Sequence, residues 1–333
     1  MNQILYYPYI NLPRTDWTVR TLLYYENVGS IVPEEYFYNP KENYDPFMLN
    51  LVRSNLVIPI NPVESISQPG RFANEFLKYA TNNRERFIKY STTKYGRINQ
   101  QKFPWASINQ QKFQGEIFVE LERMGLAERQ GGNIYFVHQN VANHLMKFLA
   151  TVVGKELQML PTTDQITNRV FHASKRKATS KRRTLLENLI PFPEEIDINK
   201  IRKFKDKNRE LLRFFKNQTE QLVLNENIIE GTEQFKLQLE EINFYKNEIA
   251  AKLNEKKFGR IFFGGIFGMI GSFQGIQEDN ALSAFIGGFP GFASAVYGSL
   301  DYFRENDIRN DRGLQYIALI DKNLRTKTTA KIG

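Results

Sequence analysis

The sequence predicts a mostly α protein with a minor α/β part: a small N-terminal α/β unit, a central helix/β-hairpin/helix unit, and a C-terminal long helical hairpin followed by a glycine-rich apolar hairpin. Three observations predict it. Short apolar-aromatic runs alternate with helical spacing near the N-terminus, and two long stretches of helical periodicity fill 197–258. Residues 259–298 are the most apolar part of the chain and hold ten of its 21 glycines. The expected organisation is an α/β unit at 1–95, a connector with the helix-hairpin-helix unit at 96–171, and a basic linker at 172–196. The long helical hairpin at 197–258, the glycine-rich hairpin at 259–300 and a polar tail at 301–333 complete it.

In order along the chain, "ILYYPYI" (4–10) reads as a strand, and Asp16 is placed to cap the helix that follows. In that helix Trp17, Leu22, Leu23 and Val28 share helical spacing. "NLVIPINP" (55–62) is a second strand, stopped by proline. "RFANEFLKYATNNRERFIKY" (71–90) puts Phe72, Phe76, Leu77, Tyr79, Phe87 and Ile88 on one helix face. The hexapeptide INQQKF occurs twice, at 98–103 and 108–113, around Pro104. One ten-residue spacing is too little for a solenoid, so the segment is read as a connector whose copies dock alike, or as coincidence.

Residues 115–157 read as a helix stopped by Gly125, a hairpin turning at Gly131–Gly132, and a helix capped near Asn140. Helix plus hairpin resembles the reading end of a winged helix. Glu116, Glu120 and Glu122, however, would face phosphates, so structural packing is favoured over DNA reading. In the helix from 233, Phe235, Leu239, Ile242, Ile249 and Leu253 form the seam of a coiled-coil-like pair. The tail is polar apart from a helix near "GLQYIALI".

The balance of 45 Lys and Arg against 36 Asp and Glu is concentrated. Residues 175–216 hold 14 basic and 6 acidic side chains, so the rest of the chain is nearly neutral. Lys175, Arg176, Lys177, Lys181, Arg182 and Arg183, joined by Lys203 and Lys207, form either a solvated connector or an anion clamp. There is no cysteine, which excludes disulfides and thiolate chemistry. The start of the chain lacks a basic segment followed by an apolar one, so no signal peptide is expected. A cytoplasmic location is expected, with association at the inner face of a membrane left open.

Three stretches carry a resemblance: "LYYPYI…DWTVRTLLYYENVGSIVPEEY", "ERMGLAERQGGNIYFVHQNVANHLMKFLA…LPTTD" and "LLENLIPFPEEIDINKIRKFKDKNRELLRFF". In this order, over about residues 1–220, the chain resembles a widespread family of uncharacterised bacterial proteins, known only as a domain of unknown function. The resemblance implies a bacterial intracellular protein in mobile or defence-related gene neighbourhoods, and no reaction. The phenylalanine-heavy stretch here departs from the Ala/Gly-rich one that the resemblance implies after the long helices.

For chemistry the sequence offers little. His138, His144 and His172 have no one-face metal spacing, and a structural or solvated role is favoured for each. Asp164 in "LPTTDQ" reads first as a turn or cap residue, with a catalytic carboxylate as the sharper alternative. Phosphate-loop, dinucleotide, zinc-protease and nucleophile-elbow motifs are absent, and no cofactor or metal is expected.

The glycine-rich hairpin admits two readings. Gly264–Gly268, Gly271–Gly275 and Gly287–Gly291 are small-xxx-small pairs suited to close helix contact in a membrane or a partner. Basic residues flank the hairpin and avoid its turn, as they do when both ends face the cytoplasm. The first arm, 261–276, is about 24 Å long as a helix, too short to span, and Pro290 interrupts the second. Burial against the protein's own helices is slightly favoured.

The leading expectation is a non-enzymatic bacterial effector or accessory protein that binds a partner or membrane, in an anti-phage defence setting. A protein partner or homo-oligomer is expected, with membrane and nucleic acid both open. The alternatives are a nucleic-acid-binding module using 175–216, and a cryptic hydrolase or nuclease.

Overall fold

The computed structural model describes residues 3–93, 105–113, 116–164, 192–193, 196–224, 233–255, 261–262 and 292–300. At its centre lies a four-stranded parallel sheet of β1 (Gln3–Tyr6), β2 (Asn27–Ile31), β3 (Val57–Ile60) and β7 (Leu160–Thr162), in the order β3-β2-β1-β7. Ile4 pairs with Val28 on one side and with Leu160 on the other. Such a sheet is covered on both faces, so its strands are apolar on both. Accordingly Ile4, Tyr6, Val28 and Val32 belong to one apolar cluster, while Leu5, Tyr7 and Ile31 belong to another.

The first face is packed by helices α1 (Asp16–Tyr24) and α4 (Pro46–Arg53), reached through the short turns α2 (Glu35–Tyr38) and α3 (Pro40–Asn43). Over these lie α10 (Ile198–Lys207), α11 (Arg209–Leu224) and α12 (Glu233–Glu255). Leu239, Ile242, Ile249 and Leu253 are buried, as their spacing expects; the Phe235 side chain lies outside the described residues.

The second face is packed by α6 (Pro69–Asn82), entered through α5 (Pro62–Ser65), and by α9 (Gln139–Glu156). α7 (Arg84–Thr93) and α8 (Ile117–Arg123) extend this layer. So does a three-stranded antiparallel sheet of β4 (Trp105–Asn109), β5 (Ala127–Gly131) and β6 (Ile134–His138), in the order β4-β6-β5. Gly131 and Gly132 form the expected turn, both at positive φ. Of the two INQQKF copies, the second closes β4 and enters a 3₁₀ turn, where the Asn109 side chain accepts from the Gln111 N–H at 2.9 Å. The first copy lies outside the described residues.

Three helix-to-strand joints are built alike. After α4, α8 and α9 the chain passes through Asn55, Gly125 and Gln158 at positive φ. The next residues, Leu56, Leu126 and Met159, then donate back to Leu51, Leu121 and Gly154. This closure satisfies stranded carbonyls, and it recruits an apolar residue just past the helix end; all three of these residues are buried.

Four expectations are corrected in detail. The helix expected to run through Val28 ends at Tyr24, and Val28 is a sheet residue because its side chain is needed in the β-face core. Thr15, not Asp16, is the N-cap of α1, and Asp16 sits in the first turn paired with Arg20 at 3.1 Å. The helix expected over 71–90 is broken at Asn83, where Asn83 Nδ2 donates to the Tyr79 carbonyl at 3.0 Å. Residues Ile261–Phe262, counted above as the start of a helical arm, form strand β9, which pairs with β8 (Phe192–Pro193).

Gly154 shows how tightly α9 sits on the sheet. A methyl group there would lie 2.7 Å from the Met159 carbonyl oxygen and 2.9 Å from Pro161 Cγ. Backbone cannot swing away, so the overpacking penalty of about 1–3 kcal/mol outweighs the roughly 1 kcal/mol that alanine adds to helix propensity. Gly154→Ala is therefore expected to lower the thermal midpoint by a few degrees. Gly298→Ala, whose methyl would have three atoms of the long Glu75 side chain as its nearest neighbours, is expected to cost less in the same melting experiment.

Candidate functional site at the carboxyl edge of the parallel sheet

In the order β3-β2-β1-β7 the sheet grows outward from β1 in one direction, then reverses, so β1 and β7 are neighbours that lead away to opposite sides. Open parallel sheets bind their ligands outside the carboxyl ends of the strands at such a reversal. At this place the Tyr6 hydroxyl, on the last residue of β1, donates to Asp164 Oδ1 at 3.0 Å, just past β7. The Tyr7 N–H donates to the Thr162 carbonyl at 3.1 Å and continues the ladder, and the Thr163 side chain is buried beside it. Trp17, in the first turn of α1, has its ring centroid 5.5 Å from that of Tyr6. Tyr9 is 54% exposed. Burial first, then the charge of Asp164 and the hydrogen bond to it, then the nearby Tyr9, hold the Tyr6 phenol far above its ordinary pKa. Tyr6 is therefore a permanent donor, and it fixes one carboxylate oxygen of Asp164.

The same edge continues past β2 and β3. The Tyr38 hydroxyl donates to Glu34 Oε1 at 3.0 Å; that bond, then the charges of Glu34 and Glu64, raise its pKa. Asn109 Nδ2 donates to Glu35 Oε1 at 2.9 Å, tying the edge to β4. Phe37 and Tyr38 are exposed. In the segments that leave the four strands (7–16, 32–45, 61–65 and 163–164) there are seven acidic residues against two basic ones, Arg14 and Lys41. The 7–16 turn contains no glycine, and Asp16 occupies the first turn of α1. Phosphate cradles at this position need close backbone approach and a helix N-terminus open to an anion. Among the described residues of this edge, acidic side chains outnumber basic ones.

Of the basic residues expected to receive an anion, two are described. Lys175, Arg176, Lys177, Lys181, Arg182 and Arg183 lie outside the described residues. Lys203 and Lys207 are exposed on α10. Their neighbours on that helix are engaged within the fold. Lys205 Nζ donates to the carbonyls of Tyr25 (2.9 Å) and Glu26 (3.1 Å) at the end of α1, and burial lowers its pKa to about 8. Arg202 reaches the Ser54 carbonyl and Asp206, and Arg209 reaches Glu26. The Lys216 ammonium is buried 5.1 Å from the centre of the Tyr25 ring. A large part of the charge summed along 200–216 thus fastens α10 and α11 to α1 and α4.

His144 and His138 take the structural role favoured for them. His144 is enclosed by Tyr79, Phe87 and Phe292, and His138 packs against Trp105 with centroids 5.5 Å apart. His172 is outside the described residues. Among the described residues no three His, Asp or Glu side chains gather as a metal site. On α8, Ile117, Phe118 and Leu121 point inward, leaving Glu116, Glu122 and Arg123 exposed, so its outward face is predominantly acidic.

The six glycines of the expected hairpin contacts, Gly264, Gly268, Gly271, Gly275, Gly287 and Gly291, lie outside the described residues. Beyond them, α13 (Phe292–Gly298) packs on α6 and α9, with Phe292 against Tyr79, His144 and Phe148, and with Ala295, Val296 and Leu300 buried. The end of the second arm therefore rests on the protein's own helices. Among the described residues no helix is long and apolar enough to cross a membrane.

No family model matches the chain, and neither a curated protein nor a solved structure matches it. Tyr6 has no role legible in the sequence, because only the pairing of β1 with β7 brings it to Asp164. The one available signal was that aromatic residues cluster directly after the first apolar run.

Proposed function

We propose that the protein acts by binding rather than by turnover, and that it receives a cationic group, an ammonium or guanidinium, at the carboxyl edge of its parallel sheet. The observation that carries this reading is the Asp164 carboxylate, held by the Tyr6 hydroxyl at the strand-order reversal, with the Trp17 ring packed against Tyr6 and the exposed Tyr9 nearby in the chain. A carboxylate supplies charge and hydrogen-bond acceptance, while aromatic faces attract a cation by about 0.5–2 kcal/mol each. The excess of acid along the described part of the edge adds a longer-range field of the same sign.

The chain has two tryptophans, Trp17 and Trp105, which gives a direct test. Titrating agmatine or spermidine into the full chain is expected to change Trp17 emission saturably, and equally in a Trp105→Phe variant. Asp164→Asn is expected to weaken that binding about tenfold, the loss of one charge-assisted contact of roughly 1.4 kcal/mol. Equal titration of wild type and Asp164→Asn, or a larger response to inorganic phosphate than to either amine, would overturn the reading.

A further inference from the structure

The α11–α12 hairpin has an outer face as well as its buried seam. Leu237 and Phe244 on α12 are 63% and 64% exposed, and Phe214 on α11 is 46% exposed. Tyr245 joins them: its ring lies parallel to that of Phe214, with centroids 6.2 Å apart, and edge-on to Phe244 at 5.5 Å. Leu237, Phe244 and Ala251 are seven residues apart and fall in one line along the helix. The buried residues Leu239, Ile242, Ile249 and Leu253 lie on the opposite side. The hairpin thus presents a second apolar stripe, of the kind that a third helix covers in a bundle.

Along α12 the charges beside this stripe are mostly acidic, while at Phe214 the Arg213 guanidinium lies 5.6 Å from the ring centre and reaches Glu210. At 100° per residue, all five glutamates of α12 (Glu233, Glu240, Glu241, Glu248 and Glu255) fall within about 60° of Phe244. Lys246 is buried on the seam side, and Lys252 sits at the margin, 3.9 Å from Glu248. A second copy of this face would bring five glutamates against five, and an anionic lipid surface would meet the same repulsion.

We infer that the outer face of the α11–α12 hairpin docks a basic amphipathic helix of a partner protein, whose apolar residues cover Leu237, Phe244 and Phe214 while its Lys or Arg residues meet the flanking glutamates. This is helix-in-groove recognition, read through anchors at i and i+7. It is independent of the carboxyl-edge site, which lies on other elements.

The test uses the full chain and a fluorescein-labelled 18-residue peptide of leucine and lysine with leucine at helical spacing, beside the same peptide with glutamate for lysine. Anisotropy is expected to show the lysine peptide binding at least tenfold tighter than the glutamate peptide. The double variant Leu237→Ser/Phe244→Ser, which changes no charge and no seam residue, is expected to lose at least tenfold. A second variant, Glu240→Lys/Glu255→Lys, guards against misfolding of the first, and is expected to reverse the peptide preference. Equal binding of the lysine peptide by wild type and both variants overturns the inference. So does a concentration-dependent dimer in sedimentation that the serine variant abolishes, which would assign the face to a second copy. Flotation with phosphatidylglycerol vesicles that depends on Leu237 and Phe244 also overturns it, in favour of a lipid surface.

Discussion

Phe148→Ala is expected to destabilise the protein by about 3–5 kcal/mol, the largest effect of any single truncation considered for this fold. Phe148 on α9 is fully buried, with ring centroids 4.9 Å from Phe72, 5.5 Å from Phe76 and 6.0 Å from Phe292. It is thus the meeting point of α6, α9 and α13. Removing the ring takes away its transfer free energy and leaves a cavity that three helices would have to close together. A fall in thermal midpoint of roughly 10 °C follows for a chain of this size. Leu157→Ala, at a position 37% exposed just past the end of the same helix, is expected to shift the midpoint little. A Phe148→Ala loss below about 1 kcal/mol would show that α13 does not depend on this cluster.

Acid is expected to weaken the fold through His144. Burial, then the charge of Lys147, lower its pKa to about 3, while its bond to the Asn140 carbonyl at 2.7 Å pulls the other way. That carbonyl can only accept, so Nδ1 carries the proton and the neutral ring fits a pocket of Tyr79, Phe87 and Phe292. In the unfolded chain the imidazole takes up a proton near pH 6.5. Between about pH 6.5 and 3 the unfolded state therefore binds more protons than the folded one, and stability falls with pH at up to about 1.4 kcal/mol per unit. From pH 7 to pH 5 the expected loss is roughly 2 kcal/mol. Lys147 is itself buried, with its pKa lowered to about 8. Its own contribution changes at higher pH, as stability rises between about 8 and 10.5. His144→Gln keeps a neutral donor toward Asn140, so denaturation of that variant should show a flatter dependence between pH 7 and 5. A profile as steep as the wild type's would mean that other groups carry the acid sensitivity.

The local parts of this architecture were legible in the sequence, because they depend on neighbours in the chain. Gly125 and the Gly131–Gly132 turn advertised the ends of their elements, and the spacing of Leu239, Ile242, Ile249 and Leu253 advertised a seam. Two strands of the parallel sheet, β1 and β3, were legible as the apolar runs at 4–10 and 55–62, but β2 and β7 were not. Its fourth strand is only Leu160–Thr162, "LPT", with a proline in the middle and no alternation to read. Nothing local separates such a run from the turn or cap that "LPTTD" resembles, so Asp164 was noticed without its partner Tyr6. Summed charge also hides how individual side chains are used. Summing Lys and Arg along 200–216 ignores that Lys205, Arg202 and Arg209 point back at α1 and α4. The acidic edge, scattered over four segments, has no counterpart in any single window.

The pairing of Ile4 with Leu160 also has a consequence in time. At about 5–20 residues per second, a ribosome takes roughly ten to thirty seconds to make the chain between these two partners. During that interval β1 can gain β2 and β3 on one side, while its other edge, apolar on both faces, has no strand to pair with. An open edge of this kind is a template for any neighbouring chain, including a second copy emerging from the same message. The three residues of β7 thus close that edge of the nascent sheet.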